Sequence, residues 1–340
     1  MNTETRDLFA DAVERLLQDV CTPAVVRAIE AGSDWLPLWS ALADAGFADA
    51  IVPEALGGAG LGLVDALPMF VACGRHAVPV PLAQTAMVRA ALAESGQTVV
   101  DGPVTLAEAA GRTADGDVIA RRVPHARTAD WVAVPLEGAL HLLAVGDATL
   151  DPDGIHGSLA ADLRWTDPEP ARVIDGAFDT LTVGALTVSA RAAGALERVF
   201  DLTLGHANQR VQFGKPIGKF QAIQHQIAVM AEHLAAARMA VELAAASGQW
   251  TALAMAKGRI AEAIPVVTAA AHAVHGAIGI TAEFDLQLFT RRLHECRRAY
   301  GTESYWYERV GRARLTDDAA LTVDFLRRVS TPVAAPENAP

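Results

Sequence analysis

Hydrophobic positions in the first hundred residues recur at three- and four-residue steps. Leu8, Val13, Leu16, Leu17 and Val20 form one stripe, and "DWLPLWSALADAGF" forms a second that stops at Gly46. Such spacing, closed by a glycine, predicts short amphipathic helices. "VPEALGGAGLGLVDALPMFVACGR" reads as a glycine-rich loop running into another helix. From about residue 101 the texture changes: "WVAVPL", "ALHLLAV" and "TLTVG" are β-rich runs separated by "EG", "DPDG" and "DPEP". These are hairpin and loop signals of a small antiparallel β unit. Helical periodicity returns at Leu186. Ile223, Ile227, Met230, Leu234, Ala237 and Val241 mark one buried face,. Further helices are expected over Trp250–His275, bent at Pro265, then after Glu283 and from near Thr302,. The pattern predicts an α+β, mainly α protein. Its parts are an N-terminal helical domain (1–100), a middle antiparallel β domain (101–183), a C-terminal four-helix bundle (184–330) and a disordered Pro- and Ala-rich tail (331–340),.

Composition narrows the partners. The chain has 340 residues, with 28 basic against 40 acidic, a net charge of −12. That balance argues against a nucleic-acid backbone as main partner and leaves room for a small anionic ligand at a local basic site. Cys21, Cys73 and Cys296 are odd in number and far apart, which points to free thiols in a reducing compartment. No uninterrupted apolar run has the length of a membrane span, and the acidic first helix does not resemble a signal peptide,. A cytoplasmic location is expected.

One connection carries more chemistry than a connection needs. "RVQFGKPIGKFQAIQHQIAVM" begins at Arg210 and lies between two helical patterns. A helix starting near Lys219 offers free N–H groups and the positive end of its dipole to an anion. Arg210 adds a planar fork suited to a diphosphate, Phe213 a face for a flat ring, and Gln221 a donor and acceptor for phosphate or sugar hydroxyls,. An ordinary turn with one surface arginine would also fit these residues. Other motifs carry less. The loop at "VPEALGGAGLG" lacks a preceding strand and a Walker lysine, so it is not read as a phosphate cradle,. His272 and His275 have helical spacing but no third ligand, so packing or capping outweighs metal binding,. His206, His225 and His233 are expected to be solvated or hydrogen-bonded in the bundle, and Glu108 to be a loop residue. There is no G-x-S-x-G and no C-x-x-C,.

The turn from Arg210 to Met230 resembles the R-x-x-F-G…F-Q…Q motif of the acyl-CoA dehydrogenase family of flavoenzymes. "VPEALGGAGLGLVD" is similar to that family's N-terminal helical domain, and "HGAIGITAEFDLQLFTRR" followed by "YGTES" resembles its G-G-x-G and E-G-T signatures. The resemblance implies a three-domain fold, FAD as cofactor and acyl-CoA thioesters as substrates. It also implies that Arg210, Phe213, Gln221 and Gly276 touch the FAD of a neighbouring subunit, with Thr302 near the flavin of its own. Ala273 and Ala277 depart from the pattern, where the family has glutamine and its second glycine. "TLAEAAGRTADGD" and "VPHARTADW" answer the family's flavin-contact segments only loosely.

The family's α-proton base is the glutamate before G-T, and here that residue is Tyr300. A phenol of ordinary pKa near 10 is a poor base at neutral pH. Some members carry the glutamate on the preceding bundle helix, a position falling near Gly184. Glu303 is the nearest substitute, about 4.5 Å along a helix from the expected place. Two readings follow. The chain is either a partner subunit without the usual glutamate, similar to the short paired subunits of sterol side-chain acyl-CoA dehydrogenases, or a self-sufficient homo-oligomeric enzyme with Glu303 as displaced base. Either would hand electrons to an electron-transfer flavoprotein.

Overall fold

A computed structural model describes residues 3–176 and 178–331. The expected tail lies outside these, apart from its first residue. The chain divides into two compact units, Met1–Thr187 and Val188–Pro340.

The first unit opens with α1 (Thr3–Val20), α2 (Pro23–Glu30), α3 (Leu36–Asp44), α4 (Leu63–Arg75) and α5 (Leu82–Glu94). In α1, Val13 and Leu17 are fully buried while Leu8 of the same stripe stays exposed. The Thr22 hydroxyl caps α2 by accepting from the Val25 amide,. Arg89 on α5 donates twice to the Asp49 carboxylate, at 2.9 and 3.0 Å. The glycine-rich loop before α4 folds back on itself. The amides of Gly58, Ala59, Gly60 and Leu61 donate to the carbonyls of Pro53, Asp49, Val52 and Ala50. No amide of that run is left to hold a phosphate. A Cβ at Gly58 would stand 2.1 Å from the Val52 carbonyl oxygen, so only glycine fits,.

Eight strands follow: β1 (Val104–Leu106), β2 (Ala110–Arg112), β3 (Val118–Val123), β4 (Trp131–Leu136), β5 (Ala139–Ala144), β6 (Ala148–Pro152), β7 (Ala161–Trp165) and β8 (Arg172–Asp175). They form two four-stranded sheets, ordered β1-β4-β5-β8 and β2-β3-β7-β6. Val118, Ala120, Leu163 and Trp165 of one sheet and Val132, Val134 and Leu143 of the other share a single core. Alternation supplies the inward face: in β7 Ala161, Leu163 and Trp165 are buried and Arg164 is exposed,. The "EG" pair is a two-residue hairpin turn, with Glu137 and Gly138 at φ 52° and 85°,. One pair departs from the antiparallel expectation, because β1 runs parallel to β4.

"TLTVG" is not a strand. It is the start of α6 (Thr180–Gln209), which therefore begins earlier than Leu186. The reason lies one residue upstream, where Asp179 accepts from the amides of Leu181 and Thr182 and from the Thr182 hydroxyl. That capping starts a helix across residues of high β propensity.

The division between the units falls inside α6. The second unit continues with a small hairpin, β9 (Val211–Gln212) and β10 (Lys215–Pro216), then α7 (Gln221–Ser247), α8 (Trp250–His275), α9 (Leu286–Arg298), α10 (Glu303–Thr316) and α11 (Thr322–Ser330). α11 went unforeseen. Gly248, left-handed at φ 64°, closes α7 and lets α8 turn back along it,. α8 runs through Pro265 and is packed by α7, α9 and α10. Together with the turn after it, α8 makes up, among the described residues, the one segment (Trp250–Ile280) long and apolar enough to cross a bilayer, a test that a core helix also passes. The stripe on α7 divides: Met230, Ala237 and Val241 are buried, whereas Ile223, Ile227 and Leu234 are only half-buried.

Asp179→Ala should destabilise the protein by about 1 kcal/mol, the usual worth of a cap, seen as a lower melting temperature by circular dichroism. An unchanged melt would mean that α6 does not depend on the cap.

Candidate functional site

The α6–α7 connection is a tight hairpin with Phe213 and Gly214 at its tip. Both have positive φ, 52° and 80°, the signature of a type I′ turn,. Glycine adopts that conformation freely, but phenylalanine does so at a cost of about 1 kcal/mol. Phe213 is also 91% exposed. A strained aromatic turned toward solvent suits a surface that docks something else. Its ring neighbour among the described residues is Phe220, edge-on at 6.2 Å, and Phe220 in turn carries the Lys215 ammonium over its face at 4.4 Å.

Arg210 enters this hairpin. Its backbone is fixed at both ends: its amide donates to the His206 carbonyl, and its carbonyl accepts from the Ile217 amide, each at 2.8 Å. The exposed guanidinium has no hydrogen-bond or ion-pair partner among the described residues. Gln221 is the exposed first residue of α7, whose N-terminus has no side-chain cap. A free arginine fork, an uncapped helix start and an exposed aromatic face form a donor set that fits a flat ring joined to a diphosphate.

Gly276 belongs to the same end of the unit. It stops α8 at φ 64°, ψ −146°, a glycine conformation, and a Cβ there would meet nothing within 4 Å. The backbone is open to close approach. His206, one turn before Arg210, stacks on His275, the residue before Gly276, with ring centroids 4.5 Å apart. Phe284 packs against both rings. The stack ties the end of α6 to the end of α8. Burial pushes both imidazoles below their ordinary pKa, with the charge of Arg210 adding to the effect on His206,. His272 bonds to the Thr290 hydroxyl, His233 faces the Arg259 guanidinium, and no metal-binding cluster is present among the described residues.

Thr302 lies elsewhere. It is the exposed N-cap residue of α10 and its hydroxyl makes no capping bond. The turn before it is held by Lys257, which is five turns and about 28 Å along α8 from Gly276. Arg210, Phe213, Gln221 and Gly276 thus gather at one end of the bundle, and Thr302 stands with Tyr300 toward the other.

Tyr300 is fully buried, with its backbone left-handed at φ 53°. Gly184 lies in the first turns of α6. Glu303 opens α10 and is clasped by Arg297 of α9, whose Nε and Nη2 both donate to the carboxylate. That hydrogen bond holds the Glu303 carboxyl below the usual carboxylate range. Sequence reasoning missed this pair because its members sit six residues apart across a turn, a spacing with no helical meaning. His206 carried a legible signal, its i, i+4 relation to Arg210.

The acyl-CoA dehydrogenase N-terminal domain matches residues 3–99, and the acyl-CoA dehydrogenase C-terminal domain matches residues 174–315. Acyl-CoA dehydrogenase IpdE2 of Mycolicibacterium smegmatis is 32% identical over 331 residues, covering 88% of this chain and 95% of that protein. IpdE2 of Mycobacterium tuberculosis is 33% identical over 301 residues, covering 86% and 91%. Among solved structures, the ChsE4–ChsE5 complex from Mycobacterium tuberculosis contains a chain with TM-score 0.82 and 25% identity, covering 94% of this chain and 99% of that one. The Tcur3481–Tcur3483 steroid ACAD gives 0.79 and 25%, covering 92% and 98%. The chain belongs to the acyl-CoA dehydrogenase family, whose members are FAD-dependent enzymes.

The Arg297–Glu303 pair yields a pH prediction. Its lowered folded-state pKa means that its contribution is complete above the unfolded value of about 4.3 and is lost as pH falls through the folded value. Glu303→Gln should therefore lower stability by about 0.5–1 kcal/mol at pH 7, the modest worth of a partly exposed pair. In denaturant melts the gap between wild type and variant should close toward pH 3. A gap unchanged at that pH would contradict the assignment.

Proposed function

We propose that this chain is a partner subunit of an FAD-linked acyl-CoA dehydrogenase, lacking the usual glutamate and completing the cofactor site of a second, glutamate-bearing subunit. The reaction is α,β-dehydrogenation of a CoA thioester. Tyr300 carries the reading. A general base must come within about 2.6–3.2 Å of the proton it removes, and the side chain at the base position is a phenol with no exposed surface. The nearest carboxylate, Glu303, is paired with Arg297 and held in a weakly basic form. Support also comes from "TLAEAAGRTADGD", the stretch that answers the family's flavin-contact segment. Thr105 is buried there and donates to the Pro124 carbonyl, so its hydroxyl is engaged inside the fold.

FAD, when bound, supplies the acceptor for the β-hydride. The contribution of this chain is to bind and orient. Arg210 holds the diphosphate, Phe213 packs on a flat ring, Gln221 bonds phosphate or ribose oxygens, and Gly276 admits the cofactor to its backbone. Thr302, the N-cap residue of α10, stands at the other end of the bundle and lies outside this half-site. The second subunit provides the carboxylate that takes the α-proton. Val211, Phe213, Ile278 and Ile280, all exposed at the half-site end or beside it, give that subunit an apolar surface to cover,. Pairing is supported by the two-chain ChsE4–ChsE5 and Tcur3481–Tcur3483 assemblies, and the steroid named for the latter suggests a steroid side-chain thioester as substrate. An electron-transfer flavoprotein in the cytoplasm takes the electrons onward.

Arg210→Ala should weaken FAD binding to the assembled complex by about one to two decades, the loss of a charge-assisted contact of roughly 1.5–3 kcal/mol. Retained flavin at unchanged affinity would remove Arg210 from the site. In dye-reduction assays with several acyl-CoA substrates, the lone chain should be silent and the complex active, with Glu303→Gln making no difference to the complex. Ordinary turnover by the lone chain, abolished by Glu303→Gln, would establish the self-sufficient enzyme instead.

A further inference from the structure

The lysines of this chain are Lys215, Lys219 and Lys257. The first two are exposed, whereas Lys257 on α8 has no exposed surface. Burying an ammonium is costly unless its protons find acceptors. Its Nζ donates to the Arg297 carbonyl at 3.0 Å and to the Gly301 carbonyl at 2.7 Å. The Arg297 carbonyl belongs to the last turn of α9, where no intrahelical N–H remains and the dipole favours a cation. The Gly301 carbonyl lies beyond the helix, in the turn that leads to α10. One amine therefore bridges a helix end and the loop that follows it.

The turn is held from its other side as well. The Trp306 indole N–H donates to the Tyr300 carbonyl at 2.8 Å. Tyr300 and Gly301 are both left-handed, at φ 53° and 87°, and a Cβ at Gly301 would stand 2.7 Å from the Trp306 Nε1. Next to Lys257, Gly258 lets α10 approach closely, since a Cβ there would lie 2.3 Å from the Tyr307 ring. Three successive features of the turn are thus fixed by named contacts, and two of the hydrogen bonds come from a single buried charge.

We propose that Lys257 is a positioning residue: its ammonium clamps the α9–α10 turn and so sets where Tyr300 and Thr302 stand. A buried cation serves this purpose better than a neutral donor, because it reaches two carbonyls that face one another across the turn and bonds each more strongly. The clamp itself belongs to the lone chain.

The test is amide hydrogen exchange on the full chain, comparing wild type with Lys257→Met, which keeps the length and removes the donors. Exchange at Ala299 and Trp306, whose amides donate to the Glu295 and Thr302 carbonyls on the two sides of the turn, should quicken by about 10–100-fold, the worth of hydrogen bonds from a charged donor, while the middle of α8 and of α10 stays protected. Lys257→Gln, retaining a shorter donor, should fall between the two and carries the test if the methionine variant does not fold. In the complex, Lys257→Met should leave flavin content unchanged, because the turn lies about five helical turns along α8 from Gly276. Unchanged exchange at the turn, or a loss spread evenly along α8 and α10, would overturn the clamp. A loosened turn accompanied by loss of flavin from the complex would mean a global loss of structure and would overturn the local positioning role. An inactive wild-type complex would instead count against the partner reading, and exchange on the lone chain would still decide the clamp.

Discussion

The Arg297–Glu303 ion pair, with the Lys257 amine bonded to the carbonyls on either side of it, settles what the α9–α10 turn can do. It engages the Glu303 carboxylate and holds it in its charged form. In the same turn Tyr300 is fully buried. A turn that could present a base to a substrate is stabilised here as a closed structural joint. The Lys257 amine is the buried member, and removing it leaves the Arg297 and Gly301 carbonyls without that donor,.

The opposite end of the bundle is built the other way. Around Arg210 the backbone is satisfied and the side chains are not: the guanidinium is free among the described residues, Phe213 projects from a strained turn, and α7 starts without a cap. The left-handed Phe213 costs a little in the isolated chain, and under the proposed function that cost is recovered when the second subunit and FAD cover this end. The His206–His275 stack, buried enough to favour neutral rings, keeps Arg210 and Gly276 at one end without introducing a competing charge. At one end the side chains are engaged with one another; at the other several are not. That asymmetry is what a chain donating to another subunit's site requires.

Much of this was legible in the sequence. Helical stripes, the β texture of the middle region and the "EG" hairpin follow from local periodicity and turn chemistry, and the structure contains them. The Arg210–Gln221 turn was readable because its residue types are uneconomical for a plain connection. Failures occurred where one contact overruled local preference. Asp179 turned a β-rich run into a helix start, and β1 joined β4 in parallel, past β2 and β3, which lie between them in sequence. Lys257 sits in an alanine-rich helix with no flanking signal, and its partners are backbone carbonyls some forty residues away. Backbone acceptors leave no trace in side-chain patterns.

The central claim is that this chain lends half of a cofactor site and does not keep a complete one. Flavin content tests it most directly. The chain should be purified alone and then together with a glutamate-bearing acyl-CoA dehydrogenase subunit, each saturated with FAD and freed of excess, and flavin measured per polypeptide. The account predicts little or no flavin on the lone chain and one FAD for each pair of unlike chains. A stable homo-oligomer carrying one FAD on every chain would contradict it.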